Sequence, residues 1–354
     1  MRYRTKLYVP FESWPREDRE RWQAVLKKSK RLFDDSGTAA HLAEASRVSF
    51  RDAYARLIAF LTNRHKGLLG HPPGERLGVR MIEEYIAWQP ATTGPRTLAN
   101  NLCWLGLMLR YMCPDRDWSW LLKISNRIAA QANRRPVRHL PITSESLYLL
   151  GLQLMDPARP AKDIRPMSRA QALRYRDGLI IALLAVVPLR RRTLAGLRIG
   201  HHVVRTGDLW ALDIPSELVK TKRPLAYSIP AELSRCIDVY LRHFRNQIRG
   251  AGSHDGMWPC ESGGPMSYDR IYKTIRRHTR DAFGFPVNPH EFRTAAGNLW
   301  STHDPQNVRG VKDLLGHSTF NTTEKFYITA QSRVAGHTLA RAVNARVQGP
   351  NRNR

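Results

Sequence analysis

Four separated segments of this 354-residue chain carry side chains that could act together on a phosphate. In VPLRRRTLAGLRI (Val187–Ile199), Arg190 follows an apolar run and opens a new helical stretch. A helix start presents unpaired N–H groups and a positive dipole end, so a guanidinium there suits an anion site. Three arginines at an apolar helix end also suit a solvated cap. In VKTKRP, Lys220 and Lys222 are two residues apart and would share a face on a strand. A hairpin lysine can lend a proton, and it can equally belong to an ordinary charged turn. In NPHEFRTAAGNLW, His290 and Arg293 are three apart and project from one side of a predicted helix. HEFR is not the zinc-protease HExxH, because Arg293 stands where the second histidine would be. An imidazole beside a guanidinium fits an oxyanion rather than a cation. In LLGHSTFNTTEKFYI, His317 lies at a glycine turn and Tyr327 follows ten residues later. Each segment alone reads as core or solvated surface; together they form an ordered set, Arg, Lys, His-x-x-Arg, Gly-His, Tyr.

In that order the segments resemble the catalytic domain of the tyrosine recombinase (integrase) family. PLRRRTLAGLR is similar to the family's first arginine box, G-L-R-x-x-E-x-x-x-L. PHEFRTAAGNLW is similar to H-x-L-R-x-T, and LLGHSTFNTTEKFY to L-G-H-x-x-x-x-T-T-x-x-x-Y. The resemblance spans about residues 141–330, and the preceding helical segment is similar, more loosely, to the family's core-binding domain. Three departures stand out. Thr193 occupies the place of an acidic residue that helps orient the active site. Tyr327 lies one residue beyond the frequent position, where Phe326 stands. The hairpin lysine is either Lys220 or Lys222; the K-x-x-R-P register favours Lys220.

The resemblance implies DNA cutting and rejoining through a 3′-phosphotyrosyl intermediate, with no metal, nucleotide or other cofactor. Tyr327 would be the nucleophile, and Arg190 and Arg293 would hold the non-bridging oxygens. Lys220 would protonate the leaving 5′-oxygen, His290 would assist proton removal from Tyr327, and His317 would hydrogen-bond the phosphate. Lys222, Arg223, Arg134, Arg135 and Arg138 are further candidates for DNA contact. The implied partners are double-stranded DNA with specific recombination sites and a homo-tetramer assembled on it, alongside any other recombinase or directionality factor of the system. The expected location is the bacterial cytoplasm, at the nucleoid. Other readings are a DNA-binding protein of the same fold that lacks cleavage, a type IB topoisomerase and, last, a membrane-surface binder.

The elements that must hold these residues predict a mainly α protein with a small antiparallel sheet in its C-terminal part. Residues 1–35 read as an N-terminal extension around one polar helix, near Arg16 to Leu32. Residues 36–135 read as a helical, DNA-clamping domain, with apolar stripes at Phe50, Tyr54, Leu57, Ile58, Leu61 and at Leu98, Leu102, Leu105, Leu109, Met112. The basic run over 123–140 marks the boundary. Residues 141–336 form the mixed α+β catalytic domain. There the apolar run Gly178–Leu189 reads as a buried helix, and Asp208–Pro215 and Leu225–Pro230 read as two strands. Helices are predicted near 231–249, 268–282, 290–302 and 305–315. Residues 337–354 read as a short amphipathic helix and a polar tail; the helix either packs on its own domain or, as the resemblance implies, docks on a neighbouring protomer.

Bulk composition agrees with this assignment. The formal net charge is +27, from 57 Lys and Arg against 30 Asp and Glu, which points to a polyanionic partner. The apolar run before Arg190 is too short to span a bilayer, and the N-terminus lacks the apolar stretch of a signal peptide. Cys103, Cys113, Cys236 and Cys260 are scattered, with no zinc-type pairing.

Overall fold

The computed structural model describes residues 7–29, 35–133, 142–156, 168–304 and 310–315. The chain divides into two compact units, Met1–His139 and Leu140–Arg354.

The first unit is helical: α1 (Arg16–Leu26), α2 (Glu44–Arg64), α3 (Val79–Trp88), α4 (Pro95–Met112) and α5 (Ser119–Asn133). Its core gathers Phe50, Tyr54, Leu57, Ile58 and Leu61 from α2 with Leu102, Leu105, Leu109 and Met112 from α4. These are the residues whose 3.6-residue spacing marked them in the sequence. The α1 helix adds Trp22 to this core, and Trp14, just before the helix, is buried there too. A salt bridge fastens the helix. Arg76 donates from Nη1 and Nη2 to the two oxygens of Asp18 on α1, at 2.6 and 2.9 Å, and Tyr54 Oη donates to Asp18 at 3.0 Å. Such a buried carboxylate is tolerated because its lone pairs are occupied from several sides.

The second unit combines α6 (Ser144–Met155), α7 (Arg169–Val186), α8 (Arg191–Ala195), β1 (Val203–Thr206), β2 (Leu209–Ile214), β3 (Leu225–Ser228), α9 (Ala231–Val239), α10 (Tyr268–Phe283), α11 (Pro289–His303) and α12 (Gly310–Leu315). Its architecture is mostly helical with one small antiparallel sheet of order β1-β2-β3. Val203 pairs with Leu212, and Leu212 with Tyr227, so the inward residues of the strands line up. Helix α7 is the axis of the unit, buried from Tyr175 to Ala185, with the ion-paired Arg176 and Asp177 followed by an apolar run from Gly178. It lies against α6 at glycine distance: a Cβ on Gly178 would meet the Gly151 carbonyl oxygen at 2.6 Å. Two glycines therefore let the helix backbones touch where any side chain would hold them apart.

Two features depart from the sequence reading. A third strand, β1, precedes the two expected; at four residues between a histidine pair and Gly207, it is too short to show alternation. The helix predicted over 231–249 keeps α-geometry only to Val239, then widens into a π-turn (Tyr240–Phe244) and tightens into a 3₁₀ turn (Arg245–Gln247). The cause is Arg245, whose guanidinium turns inward and donates to the carbonyls of Ala251, His254 and Gly256 at 2.8, 2.7 and 2.8 Å. The amphipathic helix predicted within 337–354 lies outside the described residues.

Candidate active site

The site is assembled where α7 ends. After Val186 the chain bends through buried Val187, Pro188 and Leu189, where Leu189 N–H donates to the Val187 carbonyl at 2.7 Å, and Arg190 becomes the N-cap of the short α8. The apolar helix thus delivers a half-buried guanidinium to a fixed point. Arg293 comes to the same place from the second turn of α11. That helix starts firmly: Pro289 takes the first position, and Asn288 N–H donates to Glu291 Oε2 at 2.6 Å in a capping box. His290, three residues before Arg293, lies on the same helix and is exposed. Arg276 of α10 braces the entry, donating to Asn288 Oδ1 at 2.8 Å and to Tyr272 Oη at 2.9 Å.

Arg293 is only 6% exposed. Its Nη1 donates to the Pro188 carbonyl, two residues before Arg190, and its Nη2 donates to the Leu315 carbonyl at 2.6 Å. One guanidinium thereby ties together the approach to Arg190 and the end of α12, which immediately precedes Gly316 and His317 in the sequence. Burial, with the like charge of Arg190 adding to it, pushes Arg293 down to about 10. Burial also lowers Arg190, against the opposing influence of Tyr227. Two cations weakened by desolvation at one point gain from the arrival of an anion.

Tyr227 is the residue that the sequence reading missed. It sits on β3, faces the core, and donates from Oη to the Leu314 carbonyl at 2.9 Å. Burial raises its phenol, while Arg293 and Arg190 pull it back. A weak signal existed in the alternation of Leu225, Tyr227 and Ile229 along LAYSIP. That pattern marks a core face and says nothing of the carbonyl that the hydroxyl finds.

Lys220 and Lys222 are not on a strand. A 3₁₀ turn (Ser216–Leu218) leads into a turn closed by Lys222 N–H donating to the Val219 carbonyl at 2.9 Å. Lys220 is exposed within this turn. Lys222 closes it with φ 55°, the one positive φ outside glycine among the described residues. The segment is thus the charged turn that the sequence allows, and the shared face that a strand would give the two lysines does not arise, because they differ in backbone conformation. Arg223 is exposed beside them. His317, Tyr327, Arg134, Arg135 and Arg138 lie outside the described residues.

A second feature absent from the sequence reading flanks the site. Along α10, Ile271, Thr274, Ile275 and Thr279 face inward, while Arg270, Lys273, Arg277 and Arg280 form an exposed basic stripe. At its N-terminal end the guanidinium carbon of Arg191 lies 4.9 Å from the Tyr268 ring centre and that of Arg192 at 5.0 Å. The basic spacing of three and four was visible in the sequence; its place beside the arginine box was not.

Among the described residues no helix is long and apolar enough to cross a membrane. The model of the phage integrase family matches residues 159–333. Tyrosine recombinase XerD of Pseudomonas putida is 23% identical over 299 residues, covering 83% of this chain and 89% of that protein. Tyrosine recombinase XerC of Escherichia coli O6:K15:H31 is 23% identical over 231 residues, covering 62% of this chain and 68% of its own. Among solved structures, the site-specific recombinase XerH bound to its palindromic difH substrate, a post-cleavage complex, superposes with a TM-score of 0.61 at 13% identity, covering 94% of this chain and 98% of that one. The XerH pre-cleavage complex gives 0.55 at 15% identity, covering 91% and 96%. The chain belongs to the phage integrase family, the tyrosine-type site-specific recombinases.

Proposed function

We propose that this recombinase cuts and rejoins specific DNA sites through a 3′-phosphotyrosyl intermediate formed on Tyr327. The observation that carries the reading is the meeting of Arg190 and Arg293, 103 residues apart in sequence, through the Pro188 carbonyl. Their guanidinium forks suit the non-bridging oxygens of a scissile phosphodiester, where charge builds during displacement. With two cations supplying that charge, the reaction needs no metal ion. The Tyr327 oxygen bonds to phosphorus as the P–O5′ bond breaks. The phenol proton passes to a base, for which His290 is the candidate, and the 5′-oxygen takes a proton from the Lys220 ammonium. His317 hydrogen-bonds the phosphate. The phosphotyrosine conserves the ester, so the 5′-hydroxyl can attack it and restore the strand without ATP.

Duplex DNA is the partner that the charge of +27 supports. The basic stripe of α10, the turn at Lys222 and Arg223, and the arginines at 134, 135 and 138 are the phosphate contacts we assign, so binding should fall steeply with salt. We assign a homo-tetramer on paired sites, acting in the bacterial cytoplasm, with residues 337–354 docking on a neighbouring protomer.

The test is covalent trapping. Nicked duplexes drawn from DNA flanking the gene lose the short strand on cleavage, so the adduct accumulates. Wild-type protein should yield a denaturation-resistant protein–DNA species, and Tyr327→Phe should yield none. Specific binding with no adduct would instead make the chain a non-cleaving DNA-binding protein. Relaxation of supercoiled plasmid of any sequence would make it a type IB topoisomerase.

A further inference from the structure

The position at which family members usually carry an acidic residue holds Thr193 here, and its hydroxyl has a definite partner. Thr193 is only 4% exposed on α8, and its Oγ1 donates to the Leu218 carbonyl at 3.0 Å. The Leu218 side chain leans on the same helix, with Cδ2 3.7 Å from where a Cβ on Gly196 would stand. Leu218 is followed by buried Val219, whose carbonyl closes the turn that carries Lys220. The stem of the lysine turn is therefore gripped, by carbonyl and by side chain, by the short helix whose N-cap is Arg190.

We propose that Thr193 is a positioning residue that couples the Arg190 turn to the Lys220 loop and so places the proton donor at the leaving oxygen. The proposal rests on the recombinase reading above. Hydrogen-bond polarity makes it specific. A carbonyl only accepts, and a hydroxyl can donate to it, whereas an ionised carboxylate only accepts. The acidic side chain usual in the family could not make this bond and would set its charge against the carbonyl lone pairs. The coupling is thus built with the opposite polarity from one that uses a carboxylate.

The experiment compares two versions of a duplex that wild-type protein cleaves, one with oxygen and one with sulfur at the 5′-bridging position. When the P–S bond breaks, a thiolate leaves without needing a proton, so the lysine becomes dispensable. Thr193→Val should slow single-turnover adduct formation on the oxygen substrate by roughly 10- to 100-fold. On the sulfur substrate it should run close to wild type, as Lys220→Ala should. Thr193→Ser should restore the oxygen rate, and Thr193→Glu should be no faster than Thr193→Val. Because the sulfur substrate is cleaved by the same protein sample, misfolding would show as slowness on both. Equal slowing on the two substrates, full oxygen activity in Thr193→Val, or restoration by Thr193→Glu would each overturn the proposal. A wild-type chain that forms no adduct on either substrate would overturn the recombinase reading instead.

Discussion

Replacing Arg293 by methionine separates a catalytic role from a structural one. Methionine fills a similar volume in the space beneath α11 but removes the charge and both donated hydrogen bonds, to the carbonyls of Pro188 and Leu315. Each charge-assisted bond contributes about 1.5–3 kcal/mol, so their loss costs roughly 3–6 kcal/mol. Against this, the native guanidinium is destabilised by burial and by Arg190, which push it down to about 10. At about 1.36 kcal/mol per logarithm of proton affinity, that displacement from an ordinary guanidinium corresponds to about 3 kcal/mol, which the substitution relieves. The net loss of folding stability should therefore fall at about 0–3 kcal/mol, small enough for the variant to fold. Removing a preorganised donor from the transition state should cost about 3–4 kcal/mol of barrier, a rate loss of about 10²–10³. The two quantities are measured apart, by urea unfolding and by single-turnover adduct formation with saturating protein. Near-native cleavage by the variant would refute the assignment. So would a stability loss large enough to account for the whole rate defect by unfolding.

Further outcomes follow from other parts of the structure. Asp18→Ala leaves Arg76 buried without its carboxylate and should destabilise the first unit by about 3–5 kcal/mol, read by thermal or urea unfolding; a loss below about 1 kcal/mol would show that α1 is not anchored by this pair. Gly178→Ala would drive a methyl into the Gly151 carbonyl and should cost about 1–3 kcal/mol, whereas Gly207→Ala, whose methyl would meet open space but at φ 61°, should act through backbone strain alone. Burial pushes the Cys260 thiol up, but hydrogen bonds from Ser262 and the guanidinium of Arg270 pull it down to about 7. Its alkylation in the folded protein should rise with pH through about 7 as the thiolate forms, and Arg270→Gln should move that midpoint upward; an unmoved midpoint would remove Arg270 as a cause.

Much of the molecule was legible before any coordinates. The stripes on α2 and α4 reported the core of the first unit, because burial on one helix face imposes a period that survives in a list of residues. The apolar run ending at Arg190, and the three-residue step from His290 to Arg293, likewise showed which side chains would emerge from which helices. Periodicity failed at β1, where four residues are too few to repeat anything, and beyond Val239, where an inward arginine decides the geometry.

What the sequence determined by itself was the set of chemical groups, their order and the helices that carry them, since these depend on neighbours a few residues away. What only tertiary structure decided was which backbone carbonyls those groups meet: Pro188 and Leu315 for Arg293, Leu314 for Tyr227, Leu218 for Thr193. Every residue, proline included, offers the same backbone carbonyl, so such an acceptor leaves no trace in residue type. Such bonds exist only once distant segments have packed, and they are the ones that bring Arg190 and Arg293 to a single point.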